Sequence, residues 1–198
     1  MRDERARGLR PGRRARMMGA GVVHSSSSHV ARHQVLQELA REVGETVNFV
    51  VPEDRGMSYQ DRVETDWPFR IQLPIGTNVP FHCTASGKTY LASLPKAERR
   101  RLVHVMHLEK HTESTITDPD TFLDELQDIA RQGYALDRCE YFEGMVAVAV
   151  PILDPTGRYC ASVAFHAPEQ RISIELAETK VGVLQATSRK LTETIFSS

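Results

Sequence analysis

Apolar residues recur along this chain at two different periods, and the switches between them mark out its elements. Val30, Leu36, Leu39, Ala40 and Val43 fall at helical spacing and Gly44 supplies a stop, which predicts a first helix from about His29. Thr46 to Val51 is then β-branched and apolar, and Met57 to Val63 alternates. With the turn chemistry of Glu53-Asp54-Arg55-Gly56 between them, these predict two antiparallel strands. Ile71 to Ile75 is expected to extend the sheet and Gly76 to Pro80 to be loop. The helical period returns through Tyr90, Leu91 and Leu94, and Pro95 opens a further helix bearing Leu102, Val103 and Met106. Asp118 before Pro119 reads as an N-cap and first helical residue, for a helix whose stripe of Phe122, Leu126 and Ile129 ends at Gly133. After Ser173, the positions Ala177, Val181, Leu184, Ser188, Leu191 and Ile195 predict one long amphipathic helix.

Between Gly144 and Pro168 the pattern can be taken to side-chain level. Asp154-Pro155-Thr156-Gly157 fits a four-residue type I turn, so the flanking segments form a hairpin. With Leu153 opposite Arg158, Val146 faces Phe165, Val148 faces Val163 and Ile152 faces Tyr159 on one bulky, core-forming face. The opposite face pairs Ala147 with Ala164 and Ala149 with Ser162, ending in Met145 and His166. Small side chains there either admit a closely packed helix or leave room for a guest. Asp137, on a neighbouring strand, and the loop Cys83-Thr84-Ala85-Ser86-Gly87 favour the guest. A helix N-terminus with free N–H groups suits a carboxylate or another anion.

Composition narrows the function classes. The chain has 198 residues, 40% of them hydrophobic, enough for one ordinary domain and its core. Its 25 basic and 26 acidic residues balance, so overall charge favours neither nucleic acid nor an acidic partner. No apolar run is long enough to cross a bilayer or to serve in secretion, which predicts a cytoplasmic protein with no membrane partner. Three cysteines at no metal-ribbon spacing predict reduced thiols rather than a disulfide framework. Residues 1–28, with seven arginines between Arg2 and Arg16 and a Ser25–Ser28 run, are expected to form a disordered tail ahead of a domain over 29–198.

Other chemistries compete for the same residues. Cys83 near a helix start, with His82 or His166 as base and Asp137 as orienter, would suit a nucleophilic enzyme. However, as strand neighbours His82 and Cys83 would face opposite ways. His104, His107 and His111 would line one helical stripe able to hold zinc or nickel, and Asp137, Cys139, Glu140 and His166 could form a second cluster. No carboxylate or cysteine completes the first, and Cys139 and Glu140 of the second would face apart on a strand, so no metal, other cofactor or catalytic residue is expected. A protein–protein interaction module using the last helix is the main rival to a sensor.

An ordered set of segments resembles the effector-binding domain of IclR-type bacterial transcriptional regulators. It comprises Leu39-Ala40-Arg41-Glu42-Val43-Gly44-Glu45-Thr46-Val47-Asn48, Asp61-Arg62-Val63-Glu64 and His82-Cys83-Thr84-Ala85-Ser86-Gly87-Lys88. It continues through Thr115-Ile116-Thr117-Asp118, Gly133-Tyr134-Ala135-Leu136-Asp137, Gly144, Val150-Pro151-Ile152 and Asp154-Pro155-Thr156-Gly157. The resemblance implies a GAF-like α/β domain with a central antiparallel sheet flanked by helices on both sides. It also implies a homodimer or homotetramer, and a small organic-acid effector that controls operator DNA binding through a winged helix-turn-helix for which the residues before His29 leave no room. By position it implies a pocket of Ile71, Gln72, Ala85, Ser86, Asp137, Met145, Ala147, Ala164 and His166. Relatives that bind small oxo-acids carry cysteine or serine at positions matching Ala147, Ala164 and His166. The two alanines and an imidazole here therefore imply a larger or aromatic acid, with His166 answering its carboxylate.

Overall fold

The computed structural model describes residues 29–67 and 73–196. Their elements are α1 (residues 29–43), β1 (Thr46–Glu53), β2 (Gly56–Val63), β3 (Asn78–Val79), α2 (Ala85–Ser93), α3 (Lys96–Val105), α4 (Pro119–Gln132), β4 (Ala135–Arg138), β5 (Met145–Leu153), β6 (Tyr159–Pro168), α5 (Ile174–Glu178) and α6 (Val181–Phe196). The six strands form one antiparallel sheet in the order β3-β2-β1-β6-β5-β4. Helices cover both faces, so the mixed α/β fold read from the sequence is the fold observed. Among the described residues no helix is long and apolar enough to cross a membrane.

Alternation along the strands decides which side chains meet which helices. On one face Val47, Val148, Val163 and Phe165 bury against Leu36, Leu39 and Val43 of α1 and Leu184 and Leu191 of α6. Each such side chain contributes roughly 1.5–3 kcal/mol of transfer free energy. On the other face, the small residues Ala135, Ala149 and Ala164 let α2 lie close. A second core of Leu91, Val103, Phe122, Leu126 and Ile129 ties α2, α3 and α4 together. Thr89 of α2 even reaches Ser162 of β6, with the two hydroxyls 3.2 Å apart. At Gly87 any Cβ would stand 2.3 Å from the Phe81 carbonyl oxygen, so this turn of α2 can pack only as glycine.

The best-punctuated helix behaves as its sequence dictates. Asp118 accepts from Thr121 N at 2.8 Å and Pro119 follows at the first helical position. Gly133 closes α4 in the left-handed conformation at φ 79°, where a side chain would be strained.

Four expectations are corrected. The hairpin register is shifted by two residues, with Val148 opposite Phe165 and Val150 opposite Val163, because Leu153 pairs with Tyr159 and a bulge at Cys160 adds another offset. An even shift preserves the faces, so the valines and alanines stay on their assigned sides. Tyr159, beyond the bulge, is turned to the α2 face, where it packs on Tyr90 with ring centroids 5.3 Å apart. The third strand is Asn78–Val79, inside the expected loop, paired with Met57 and Ser58. Leu73 to Ile75 is not a strand, and Ile71 and Gln72 lie outside the described residues. Finally, the last helix is two. Lys180 N bonds Ala177 O and Val183 N bonds Lys180 O, three-residue closures that break the helical ladder, while the Thr179 hydroxyl donates to Leu176 O at 2.7 Å. The buried stripe runs across that break through Ala177, Leu184, Ser188 and Leu191.

Candidate functional site

From β2 across to β4 the α2 face does not close. A small cleft, partly open to solvent, remains between the sheet, the start of α2 and the 139–144 loop. Met145 and Ala147 of β5 and Ala164 and His166 of β6 form its floor, and Asn48 and Tyr59 continue it across β1 and β2. Thr84, Ala85 and Ser86 bring the N-terminus of α2 to one wall, where Asp137 of β4 also stands. Leu73, Tyr141 and Phe142 supply an apolar and aromatic rim. Seven of the nine residues expected to line a pocket meet around this space: Ala85, Ser86, Asp137, Met145, Ala147, Ala164 and His166. The other two, Ile71 and Gln72, are undescribed. The alanines serve both of their alternative purposes, because Ala164 packs on α2 and also lines the cleft.

The cleft's polar groups are held by their own partners. Asn48 Nδ2 is 3.1 Å from His166 Nδ1, and Arg62 Nη1 donates to Asn48 Oδ1 at 3.3 Å while its Nε donates to Glu64 at 3.0 Å. Arginine can only donate, so it fixes which end of the Asn48 amide faces the imidazole. The amide nitrogen then donates to Nδ1, and the neutral His166 ring keeps its proton on Nε2.

At the opposite wall Thr84 caps α2 by accepting from Gly87 N at 3.2 Å and donates to Pro80 O at 2.7 Å. Asp137 accepts from Glu140 N at 2.7 Å. Burial, and then the neighbouring Glu140 carboxylate, push its carboxyl up to about 7 against the pull of the Lys88 ammonium. Lys88 is fully buried and bridges Glu125 Oε1 at 3.1 Å and Glu140 Oε1 at 2.5 Å, which anchors α2 to α4 and to the loop after β4. The Tyr59 phenol, desolvated by burial, stays protonated far above its usual range and is a donor.

Sequence reasoning missed Asn48, Tyr59, Tyr141 and Phe142. Asn48 carried a signal, as the one amide inside the apolar run Thr46–Val51. Tyr59 carried none, since a bulge at Gln60 between the Phe49↔Asp61 and Val50↔Tyr59 pairs is what turns it to this face.

Cys83 is no activated nucleophile. Burial first, and then Asp137 and Glu140, hold its thiol far above the ordinary cysteine range, so it remains protonated. Residues 81–84 are bends rather than strand, so the opposite-facing expectation for His82 and Cys83 does not apply. The two candidate metal clusters, neither of which was expected to bind, also come apart. The helix α3 ends at Val105, before His107 and His111. Cys139, at φ 60°, turns to Glu169 with its sulfur 3.6 Å away, whereas Glu140 turns inward to Lys88.

A sequence model of the bacterial transcriptional regulator IclR C-terminal domain matches residues 21–193. The chain belongs to this family. Among curated relatives, the probable transcriptional regulator SauR of Cupriavidus necator is 40% identical over 162 residues, 82% of this chain and 64% of that protein. The chain spans 56–64% of the length of the curated relatives it matches. The IclR structure of Thermotoga maritima superposes with a TM-score of 0.79 at 28% identity, covering 93% of this chain and 75% of that one. The inducer-binding domain of a PobR double mutant from Acinetobacter, in complex with 3-hydroxybenzoic acid, gives 0.75 at 26% identity over 83% of this chain and 97% of that one.

Proposed function

We propose that this domain senses a small carboxylic acid, with an aromatic acid as the best fit. Occupancy of the cleft would shift the balance between subunit arrangements of a homodimer or homotetramer, and so the operator affinity of a helix-turn-helix regulator acting in the cytoplasm. The observation that carries this reading is the chemistry of the cleft. Donors from His166 and Tyr59 stand on its floor, the N-terminus of α2 and a carboxyl near its midpoint of titration stand at one wall, and Leu73, Tyr141 and Phe142 give it an apolar rim. Such a mostly apolar concavity with a few converging polar groups is the usual form of a small-molecule site. The 3-hydroxybenzoate held by the PobR domain supports an aromatic acid by analogy. A regulatory rather than catalytic role accords with the relatives being transcriptional regulators and with the protonated Cys83.

The test is a thermal-shift screen of the purified chain against glyoxylate, pyruvate, hydroxybenzoates, phenylacetates and dicarboxylates, repeated on Ala147→Trp. A ligand at 100 times its Kd stabilises by about 2.7 kcal/mol through mass action. The expected result is stabilisation by an acid in the parent chain and its loss in the Ala147→Trp variant, whose indole would fill the cleft. If no acid moves the melting temperature, an interaction module replaces the sensor.

A further inference from the structure

Beside the cleft, three metal-ligating side chains that the sensing site does not use come together. His82 and Cys83 from the 81–84 bend, and His111 from the loop after α3, place one ligand atom each within 4.8 Å of one another. This is the one such group of histidine, cysteine or carboxylate side chains among the described residues. We propose that His82, Cys83 and His111 form a binding site for a Zn²⁺-class transition-metal ion.

Ligand chemistry selects the class. One thiolate and two imidazoles suit zinc or cobalt, whereas magnesium and calcium need oxygen donors that this set does not offer. Cys83 holds its proton only while no cation is near; as the ion binds, its charge displaces that proton to solvent and the sulfur–metal bond forms. The 4.8 Å envelope is about 1 Å wider than the roughly 3.5 Å ligand separation implied by tetrahedral bonds of ~2.0–2.3 Å. His82 and Cys83 are buried, and the exposed His111 side chain is the one with room to rotate toward them.

The surroundings are those of a prepared site rather than a chance contact. His82 Nε2 donates to the Glu109 carbonyl at 2.8 Å, which sets the tautomer and leaves the lone pair on Nδ1, the type of outer bond that orients metal-binding histidines. The loop bearing His111 is pinned from both sides. Thr112 and Thr115 hydroxyls donate to the carbonyls of Cys139 and Glu140 at 2.7 Å each, and His111 N donates to Thr115 Oγ1 at 3.1 Å. The Tyr141 ring stands edge-on to His111 at 5.2 Å between centroids. Three protein ligands leave a fourth position for water or another small ligand, the arrangement of an open rather than a closed zinc site.

The experiment uses the full chain, stripped with a chelator and titrated with Co²⁺ and then Zn²⁺ under a non-thiol reductant. One Co²⁺ per chain is expected, with a thiolate-to-cobalt charge-transfer band that Zn²⁺ removes. Cys83→Ala should abolish the band. His111→Ala, at an exposed position, should weaken binding by at least about tenfold, the least that loss of even an outer partner costs such sites. His107→Ala should leave binding unchanged. The proposal is overturned if no stoichiometric metal is retained, if cobalt binds without the charge-transfer band, if His111→Ala binds as tightly as the parent, or if the band is lost instead in Cys139→Ser or Cys160→Ser.

Discussion

Asn48 and His166, 118 positions apart, meet across the β1–β6 ladder with Asn48 Nδ2 3.1 Å from His166 Nδ1. Asn48 pairs with Ala164, so His166 is its diagonal neighbour on the cleft face. The contact presets the ring: Nδ1 accepts, and Nε2–H is the donor a carboxylate could use. Removing the amide takes a partner from His166 and from Arg62 together. Asn48→Ala is therefore expected to cost about 1–3 kcal/mol in denaturant titrations. His166→Ala, measured by calorimetry with an acid found in the thermal screen, is expected to lose at least about tenfold in affinity. Unchanged binding would remove His166 from the site.

Asp137 makes both stability and binding depend on pH. Its carboxyl has an ordinary value of 3.8 and is raised to about 7 in the folded chain, chiefly by burial and then by Glu140. Below pH 3.8 both states hold the proton. Through the window from 3.8 to about 7 the folded state holds it more tightly, so stability falls as pH rises and levels off above the window. Asp137→Asn is expected to flatten that decline, read as the denaturation midpoint against pH. A protonated Asp137 can donate to a bound carboxylate, whereas its anion repels one. Acid affinity should thus weaken as pH passes about 7 in the parent but not in Asp137→Asn.

Lys88 is the fully buried centre of an ion cluster with Glu125 and Glu140. Lys88→Met leaves Glu140 buried without its cation, which costs about 3–5 kcal/mol. The double variant Lys88→Met/Glu140→Gln is expected to recover part of this loss, as a double-mutant cycle of melting temperatures would record.

Two alanines of one strand face should answer differently to enlargement. Ala149 is fully buried under α2, so Ala149→Leu overpacks the helix–sheet contact and is expected to cost about 1–3 kcal/mol. Ala147 is half-buried and opens on the cleft, so Ala147→Trp should fold with a smaller loss. Equal destabilisation by the two would mean that α2 rests on Ala147 as well.

What the sequence revealed follows from which physics is local. The Asp118-Pro119 start and Gly133 stop of α4 depend on neighbouring residues alone and were legible to the residue. The faces of the β5–β6 hairpin were legible because parity follows from alternation. Its register was not, because the bulge at Cys160 leaves no compositional mark. The same kind of irregularity at Gln60 hid Tyr59 from the cleft. The grouping of His82, Cys83 and His111 depends on the 81–84 bend and on a loop pinned by Thr112 and Thr115, a long-range arrangement that helical spacing of the histidines suggested wrongly.

The turn after Leu153 and the bulge at Cys160 together displace β6 by two residues from the simple pairing. An odd displacement would exchange the two sides of β6, placing Val163 and Phe165 in the cleft and Ala164 and His166 in the core. The lining of the cleft is thereby governed by chain length at a hairpin tip that contributes no residue to it. An insertion or deletion there that shifts the register by an odd number of residues changes the lining of the cleft as well as the loop.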